Sequence, residues 1–502
     1  MIRIYEFLLT ASMAHCFIGQ TILTALCLKI VCANEIDTYG REFIFVYPPN
    51  NSGSRGVKAT LSIINPNTTQ HADVTIDYPE FDSTAGTANE KASVVRRTTT
   101  LAVKFTFHES VILDGIVNGL RSYLDARIVV HSTISITLIA HSVDVCGAQD
   151  SFLASNAWST VENAATFAVL PVSMAGNNYA FALPPSSLSG STTIYFLPAK
   201  AAPYQYITIN LIRQALSSSC KYTAKVDTML VFSTSGESVT LWAHSNVTFV
   251  IVAAIRGLPT LKGSNIFDFG CFMPSSMPTT SCNELLRKDI HVAPLVTGKY
   301  HLLTPPSTEC ESSEISIHGS NKVVKTKHLV STFVQTTNPV ILDEYGNTAV
   351  ISTATMLNII RYGGYNVGAS GYEEGGYLHE VPSVSQFISG MIPIIVPGDS
   401  NQVIVIADYK AMSNSLFDGE ISLSFAALPF ENSSLYYASG TVSSGFHFFY
   451  SDGLYMIFIT GRTNKSAYGF LPAFNSREVV KMDYTTSELL ICCICSSFDA
   501  KN

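Results

Sequence analysis

The chain has 502 residues, of which 47% are apolar and only 14% are charged, whereas ordinary globular proteins have roughly 25% charged residues. This apolar content excludes an intrinsically disordered protein, because it is sufficient to build large folded cores. The 30 Lys and Arg residues against 38 Asp and Glu residues give a formal net charge of −8, and without a long basic run no nucleic-acid partner is expected.

The N-terminus predicts export from the cell. The stretch from Phe7 to Ala33 is mostly apolar and ends in Val31-Cys32-Ala33, the small-residue spacing that a signal peptidase reads. We therefore predict a signal peptide over residues 1–33 and a secreted, extracellular protein. The alternative is a signal anchor that holds the protein at the membrane. No later stretch reaches 18 apolar residues, so no membrane span is expected once the signal peptide is cleaved.

Strand-type alternation dominates the chain after residue 39. Apolar and polar or small residues alternate with a period of two at 101–108, at 134–138 and at 421–425, and these runs are rich in Val, Ile, Thr and Phe. Such a pattern is typical of half-buried β-strands. The sequence therefore predicts an all-β fold with few helices.

Two signatures recur in a fixed order along the chain. The first is a glycine, then an aromatic-led strand, then proline, and it begins at Gly40, Gly176, Gly298 and Gly390; a polar doublet that leads into an apolar strand follows each time. This order predicts about four tandem antiparallel β modules, followed by a short Cys-containing tail at 476–502. The predicted modules are 39–150, 165–260, 290–350 and 380–475. A sandwich-like row and a propeller-like ring both remain open.

The cysteines suggest disulfides, since thiols tend to pair in an oxidising compartment. Cys271 and Cys282 flank a turn-rich loop with two prolines, which makes this pair the first predicted bridge; closing so short a loop contributes roughly 2–3 kcal/mol. Further candidates, whose connectivity the sequence leaves open, are Cys146, Cys220 and Cys310. In the tail, Cys492-Cys493-Ile494-Cys495 could form intermolecular disulfides or pair with an internal cysteine.

Five Asn-x-Ser/Thr sequons are candidate sites for N-linked glycans. Each lies beside turn residues and not inside an apolar run, which is compatible with a position on the surface. The five candidates are Asn50, Asn67, Asn246, Asn432 and Asn464.

An ordered series of segments resembles a known family. The opening Gly40-Arg41-Glu42-Phe43-Ile44-Phe45-Val46-Tyr47-Pro48-Pro49-Asn50 is followed by Val169-Leu170-Pro171-Val172, then by Cys271 and Cys282-Asn283-Glu284-Leu285, then by Val381-Pro382-Ser383-Val384-Ser385-Gln386-Phe387, and finally by Ser466-Ala467-Tyr468-Gly469-Phe470. In this order they resemble the landmarks of the IgGFc-binding protein N-terminal domain family. The resemblance covers about residues 39–474, so residues 34–475 are taken as one region of this type.

The resemblance implies a secreted, non-enzymatic module of mucus and surface-coat proteins that acts in adhesion and binding. Its expected partners are extracellular proteins or glycans, and the family name adds immunoglobulin as a partner to test. No cofactor is implied, and no family contact residue can be placed on this sequence.

A search for catalytic motifs gives no enzyme class. The chain has no His-Glu-x-x-His, Gly-x-Ser-x-Gly, phosphate-binding or dinucleotide-binding motif, whereas a convergent Ser/His/Asp triad is defined by geometry and leaves no sequence pattern. His131, His141 and His244 lie near predicted strand ends and are interpreted as edge or turn residues. The alternative function is a secreted glycan-binding or glycan-hydrolysing protein on a propeller-like scaffold.

The most distinctive segment is the Tyr- and Gly-rich stretch at 362–380. Tyrosines on a flexible backbone resemble the adaptable chemistry of a binding loop, and the glutamates could attract Ca²⁺ or a basic partner. The competing interpretation is a mobile connector between the third and fourth modules. The candidate binding residues are Tyr362, Tyr365, Tyr372, Glu373, Glu374 and Tyr377.

Overall fold

The computed structural model describes the greater part of the chain between the predicted signal peptide and the tail. The described residues are 36–67, 69–81, 92–98, 101–154, 164–169, 177–184, 191–198, 206–209, 212–215, 220–225, 228–235, 241–245, 249–259, 267–275, 277–278, 289–293, 299–303, 313–319, 325–329, 340–341, 348–352, 357–366, 373–398, 400–420, 423–428, 434–463 and 466–476. The predicted signal peptide and the Cys492–Cys495 cluster lie outside these residues.

Almost all regular structure in the described residues is β-strand. In the first half of the chain the strands are β1 Gly40–Phe45, β2 Lys58–Ile64, β3 Ala72–Tyr78, β4 Ala92–Thr98, β5 Ala102–Phe107, β6 Gly119–Leu124, β7 Ile128–Val143, β8 Gln149–Leu153, β9 Ala164–Val169, β10 Asn177–Leu183, β11 Ser191–Pro198, β12 Tyr206–Ile209, β13 Ile212–Ala215, β14 Cys220–Lys225, β15 Thr228–Ser235, β16 Leu241–Ser245 and β17 Val250–Pro259.

In the second half the strands are β18 Phe267–Phe272, β19 Met277–Pro278, β20 Asp289–Ala293, β21 Lys299–Leu303, β22 Ser313–Gly319, β23 Lys325–Leu329, β24 Val340–Ile341, β25 Thr348–Ser352, β26 Asn358–Asn366, β27 Glu373–Glu380, β28 Ile388–Val396, β29 Ser400–Ala407, β30 Leu416–Phe417, β31 Ala426–Ala427, β32 Tyr436–Val442, β33 Gly445–Thr463 and β34 Ser466–Phe470. The described helical segments are α1 Tyr409–Asn414 and two 3₁₀ turns, Glu109–Val111 and Val384–Gln386. The predicted all-β class is confirmed.

Seven antiparallel sheets contain these strands. The first has the order β4-β3-β7-β2-β5 with β1 and β8 also on β7, and the last has the order β28-β33-β29-β32-β31 with β30 and β34 also on β33. Between them lie β18-β17-β10-β15-β6, β14-β11-β16-β9-β19, the pair β12-β13, β20-β25-β22-β23 and β24-β21-β26-β27. Sheet membership departs from the predicted module boundaries in three places. β6 pairs with β15, β18 and β19 join β17 and β9, and β26 and β27 join β21. The division into four modules stays a prediction.

Long strands organise the first and the last sheet. The N-terminal part of β7 pairs with β1 and β3, and its C-terminal part pairs with β2 and β8. In the same way, β33 pairs first with β28 and then with β29 and β34. Each long strand therefore pairs with one set of neighbours in its first half and with another set in its second half.

Four strands from different sheets meet around a common axis. β8 lies beside β18 and β34, and β27 also lies beside β18 and β34, so the four strands form a closed cycle of neighbours. The two ends of the described chain also meet, since Asp37 Oδ2 accepts a hydrogen bond from Ser476 N at 2.8 Å and Thr38 Oγ1 accepts one from Phe474 N at 3.2 Å. This cyclic arrangement favours the ring over the row, in which the first and last members would not touch.

The buried apolar residues form two clusters. One contains side chains from 43–154, 179–183, 229–231, 250–254 and 269–273, and the other contains side chains from 292–474 together with Ile36, Ile64, Ile139 and Leu153. Neighbouring predicted modules therefore share a core. Residues from the first sheet in the second cluster connect the beginning of the described chain to its end.

Candidate functional site

Two aspartates are fully buried where the four strands meet. Asp150 lies in β8 and Asp268 lies in β18, and both have no exposed surface. Aspartate is depleted in strands, and a buried carboxylate is costly unless donors surround it. The surroundings of these two side chains therefore decide whether the axis is a ligand site or a structural element.

Asp268 accepts one backbone hydrogen bond from each of the four strands. Its Oδ1 accepts from Gln149 N at 2.8 Å and from Phe269 N at 2.9 Å. Its Oδ2 accepts from Gly376 N at 2.8 Å and from Ala467 N at 2.9 Å. All four lone-pair positions of the carboxylate are thus used by the protein itself.

Asp150 repeats the arrangement one layer further along the axis. Its Oδ2 accepts from Cys271 N at 2.9 Å and from Leu378 N at 3.1 Å, and its Oδ1 accepts from Ser151 N at 2.8 Å and from Gly469 N at 3.2 Å. In every strand this second donor lies two residues after the donor to Asp268. The four strands therefore run in the same direction along the axis, and carboxylates join them where no ladder of backbone bonds does.

Burial and hydrogen bonding act on these carboxyl groups in opposite directions. Burial raises the pKa of Asp268 to about 7 and the pKa of Asp150 well above its usual value, whereas the four N–H donors lower each pKa because they stabilise the charged form. A strongly shifted carboxyl pKa is often a sign of an active site. Here every acceptor position faces the backbone, so we interpret both aspartates as structural.

A buried aromatic and cationic cluster lies next to the axis on β26 and β27. The Arg361 guanidinium lies 4.6 Å from the centre of the Tyr377 ring, and its NH1 donates to His379 Nε2 at 3.1 Å. His379 Nδ1 donates to the Glu380 carbonyl at 2.7 Å. Burial and the charge of Arg361 lower the pKa of His379 to about 3, so this imidazole is neutral at physiological pH. The cluster fills the interior and presents no group to solvent.

The candidate binding residues at 362–380 are separated by the structure. Tyr377 is fully buried, whereas Tyr365 and Glu374 are half-buried around Arg462, which pairs with the Glu374 carboxylate and lies 5.9 Å from the Tyr365 ring. Tyr362 and Glu373 lie in β26 and β27, and Tyr372 lies outside the described residues. The interpretation as a mobile connector is wrong for 362–366 and 373–380, which lie in paired strands. Ligand binding by this segment stays a prediction.

The predicted disulfide candidates lie in different surroundings in the structure. Cys271 has a free thiol and is fully buried. Its predicted partner Cys282 lies outside the described residues, so the bridge stays a prediction. Burial and the nearby Asp150 carboxylate raise the pKa of this thiol well above its usual value. Cys146 is free and exposed, Cys220 lies in β14, and Cys310 is outside the described residues.

Of the five sequons, two can be assessed. Asn50 is fully buried, and its Nδ2 donates to the Ala148 carbonyl at 3.0 Å. A glycan needs that nitrogen at the surface, so the prediction at Asn50 is wrong for the folded protein. Asn67 is half-buried in a turn, where its Oδ1 accepts from Thr69 N at 2.9 Å, and it stays a candidate. The sequons that lie outside the described residues are Asn246, Asn432 and Asn464.

The histidines singled out from the sequence lie in strands. His131 is exposed in β7 with Nδ1 3.6 Å from Glu42 Oε1, and His141 in β7 has Nδ1 2.8 Å from Ser151 Oγ. Burial and two nearby lysines lower the pKa of His141 to about 4. His244 lies in β16. Within the described part of the chain no three His, Cys, Asp or Glu side chains are grouped to hold a metal ion, and its helices are all too short to span a membrane.

An apolar surface, which the sequence did not predict, lies on the outer side of the last sheet. Strand register places Met391 opposite Tyr450, Pro393 opposite Phe448 and Ile395 opposite Phe446. Met391 is 38% exposed and Phe446 37% exposed, and Ile395, Phe448 and Tyr450 are half-buried. We call these five partly exposed side chains (Met391, Ile395, Phe446, Phe448 and Tyr450) the apolar face. In β33 the residues that point to either side of the sheet are mostly apolar. The alternation of residue types along the strand therefore could not predict which side faces solvent.

Comparison with known proteins adds no relative. Neither a protein-family model nor a curated protein sequence matches this chain.

Proposed function

We propose that this protein is a secreted, extracellular binding or adhesion protein of the mucus or surface-coat type, and that it acts by presenting surfaces to other molecules. The apolar face on β28 and β33 carries this proposal. Partners would be extracellular proteins or glycans, with immunoglobulin one protein to test. Binding of this kind needs no catalytic step and no cofactor.

The apolar face has the composition of a contact surface. Aromatic rings and a methionine are enriched in protein interfaces, and contiguous exposed apolar side chains mark such sites on soluble proteins. Their position on two paired strands fixes the rings before a partner arrives, which reduces the entropy lost on binding.

Glycan binding is the second candidate, and one feature beside the apolar face favours it. The Tyr450 hydroxyl donates to the Asp452 carboxylate, two residues further along β33. An aromatic ring with a carboxylate at its edge offers stacking to the apolar side of a sugar ring and hydrogen bonds to its hydroxyls. This arrangement would favour sugars over apolar peptides.

The proposal is tested with the secreted full chain and a double variant, Met391→Ser with Phe446→Ser. Phe267→Ser is the matched control, because Phe267 is 45% exposed on β18, away from the apolar face. Binding to mucin, immunoglobulin G and a glycan array is measured by surface plasmon resonance. We expect the double variant to lose at least tenfold in affinity for the bound partner, since exposed anchors contribute about 1–2 kcal/mol each. Equal affinity in the double variant and the control would refute a role for the apolar face.

A further inference from the structure

A serine, a histidine and an aspartate form a hydrogen-bonded series at the turn between β32 and β33. His447 Nδ1 donates to Asp418 Oδ2 at 2.7 Å, and His447 Nε2 lies 3.3 Å from Ser443 Oγ. Ser443 is exposed in the turn, whereas the His447 side chain is only 9% exposed. The order is a nucleophile at the surface, a base behind it and a carboxylate behind the base.

Asp418 is positioned by more than its contact with the histidine. Its Oδ1 accepts from Phe448 N at 3.0 Å, and its backbone N donates to the Phe448 carbonyl at 2.9 Å. Among the residues that the structure describes, Asp418 is the non-glycine residue with a positive φ, at 52°. Gly419 also has a positive φ, at 83°, and the two residues form the tight turn between Phe417 and Glu420, where aspartate followed by glycine is favoured. The backbone therefore holds the carboxylate with one oxygen directed at the imidazole.

The imidazole is also fixed by packing. The Phe417 ring is stacked against His447 with centroids 5.6 Å apart and an interplanar angle of 29°. The Asp418 carboxylate favours a proton on Nδ1, so Nε2 faces Ser443, whose carbonyl oxygen at 2.9 Å is closer to it than the hydroxyl Oγ at 3.3 Å. A nucleophile within reach of a base that a third group orients is the structural signature of an activated serine.

We propose that Ser443 is the nucleophile of an acyl-transfer site, that His447 is its general base, and that Asp418 is the positioning residue. The substrates we infer are small carboxylic esters such as acetyl esters, because Ser443 is exposed on a turn and a small acyl group needs few binding contacts. This activity is additional to binding by the apolar face, and its test is independent of that face.

The reaction balances with water as the second substrate. Ser443 Oγ attacks the ester carbonyl carbon, and its proton passes to His447 Nε2. The carbon–oxygen bond to the alcohol then breaks, and His447 returns the proton to the leaving oxygen, which gives an acyl-serine and a free alcohol. Water then attacks the acyl-serine with His447 as base, and a carboxylic acid and Ser443 are released.

A second contact favours the charged intermediate state of the base. His447 Nε2 lies 2.9 Å from the Ser443 carbonyl oxygen. This oxygen has no hydrogen to accept while Nε2 is unprotonated, but it accepts from Nε2–H once the serine proton has been transferred. The carbonyl and Asp418 together would therefore stabilise the imidazolium that forms during the reaction.

The test compares Ser443→Ala with Ser444→Ala, since Ser444 is the exposed neighbouring serine in the same turn. The secreted full chain is treated with diisopropyl fluorophosphate, and the modified residue is located by peptide mass spectrometry. Hydrolysis of 4-nitrophenyl acetate is followed in parallel. We expect labelling at Ser443 in the native protein and in Ser444→Ala, no labelling in Ser443→Ala, and at least 100-fold slower hydrolysis in Ser443→Ala.

The role of Asp418 is tested with Asp418→Asn, which keeps the shape of the side chain. We expect hydrolysis to fall at least tenfold with an altered pH profile, because the amide no longer selects the Nδ1–H tautomer, while the thermal midpoint stays near that of the native protein. Absence of labelling in the native protein, or equal labelling of Ser443 and Ser444, would overturn the proposal. Unchanged rate and pH profile in Asp418→Asn would overturn the assignment of Asp418.

Discussion

Replacement of Gly375 by alanine tests whether the carboxylate-centred axis determines stability. Gly375 has a φ of +69°, and a Cβ there would lie 2.7 Å from Asp268 Oδ2 and would collide with the backbone nitrogen of Ala467. The left-handed conformation alone costs an alanine about 1–2 kcal/mol, and forcing an added group into a packed interior costs a further 1–3 kcal/mol or so. We therefore expect Gly375→Ala to lose about 2–5 kcal/mol of unfolding free energy.

The matched control is Gly390→Ala. Gly390 has a φ of +92°, and a Cβ there would meet no atom within 4 Å, so it carries the conformational cost without the collision. Both variants are unfolded in urea, and the midpoints are compared at constant slope. The expected excess loss in Gly375→Ala is about 1–3 kcal/mol. If Gly375→Ala is no less stable than Gly390→Ala, the axis is not the tightly packed element described above.

Three further predictions concern the buried polar groups. Asp150→Ala should cost about 3–6 kcal/mol because four buried N–H groups lose their acceptor, and the exposed Asp452→Ala should stay within about 0.5 kcal/mol of the native protein in the same urea titration. His379 has a folded pKa of about 3, below its usual unfolded value, so only the unfolded state gains a proton as the pH falls from 7 to 5. This lowers the unfolding free energy by about 2 kcal/mol, and His379→Gln should show a correspondingly flatter pH dependence; an equally steep curve would contradict a neutral buried imidazole. For Asn50→Gln, we expect a glycosidase to remove the same mass from the secreted variant as from the native protein. If the variant loses the mass of one glycan less, Asn50 is modified before the chain folds.

The fold class could be read from the sequence because strand alternation is a local property. In β3, buried and half-buried residues alternate from Ala72 to Tyr78 as the period of two requires. The Gly-rich stretch at 373–380 was harder to interpret, since glycines are typical of flexible connectors. Gly375 and Gly376 lie in a strand because the backbone there comes close to Ala467 and because the Gly376 N–H donates to Asp268. A sequence pattern predicts neither requirement.

The site predictions failed where they depended on burial. Asn50 lies in a valid sequon, yet the same amide completes the hydrogen bonding of the turn at Ala148. Asp150 and Asp268 could have been noticed as acidic residues inside apolar strands, but their shared role depends on a meeting of strands more than 100 residues apart. In the Asp418, Ser443 and His447 series, Ser443 and His447 are only four residues apart, and Asp418 reaches His447 because β30 pairs with β33.

The number of strands and the number of carboxylates on the axis are linked by hydrogen-bonding capacity. A carboxylate has about four lone-pair positions, and a layer of four parallel strands presents four inward N–H groups, so one aspartate satisfies one layer. At the level of Asp268, the corresponding positions of the other strands hold Ala148, Gly375 and Ser466, which are small enough to leave room for a single carboxylate. A second aspartate in that layer would bury another charge with no donors left to stabilise it. Each of the two layers therefore holds one acidic side chain, but the small neighbours of Asp268 are not repeated around Asp150, where the corresponding positions hold Gly270, Tyr377 and Tyr468. The axis is asymmetric both within a layer and between layers, which a repeat with identical modules could not provide.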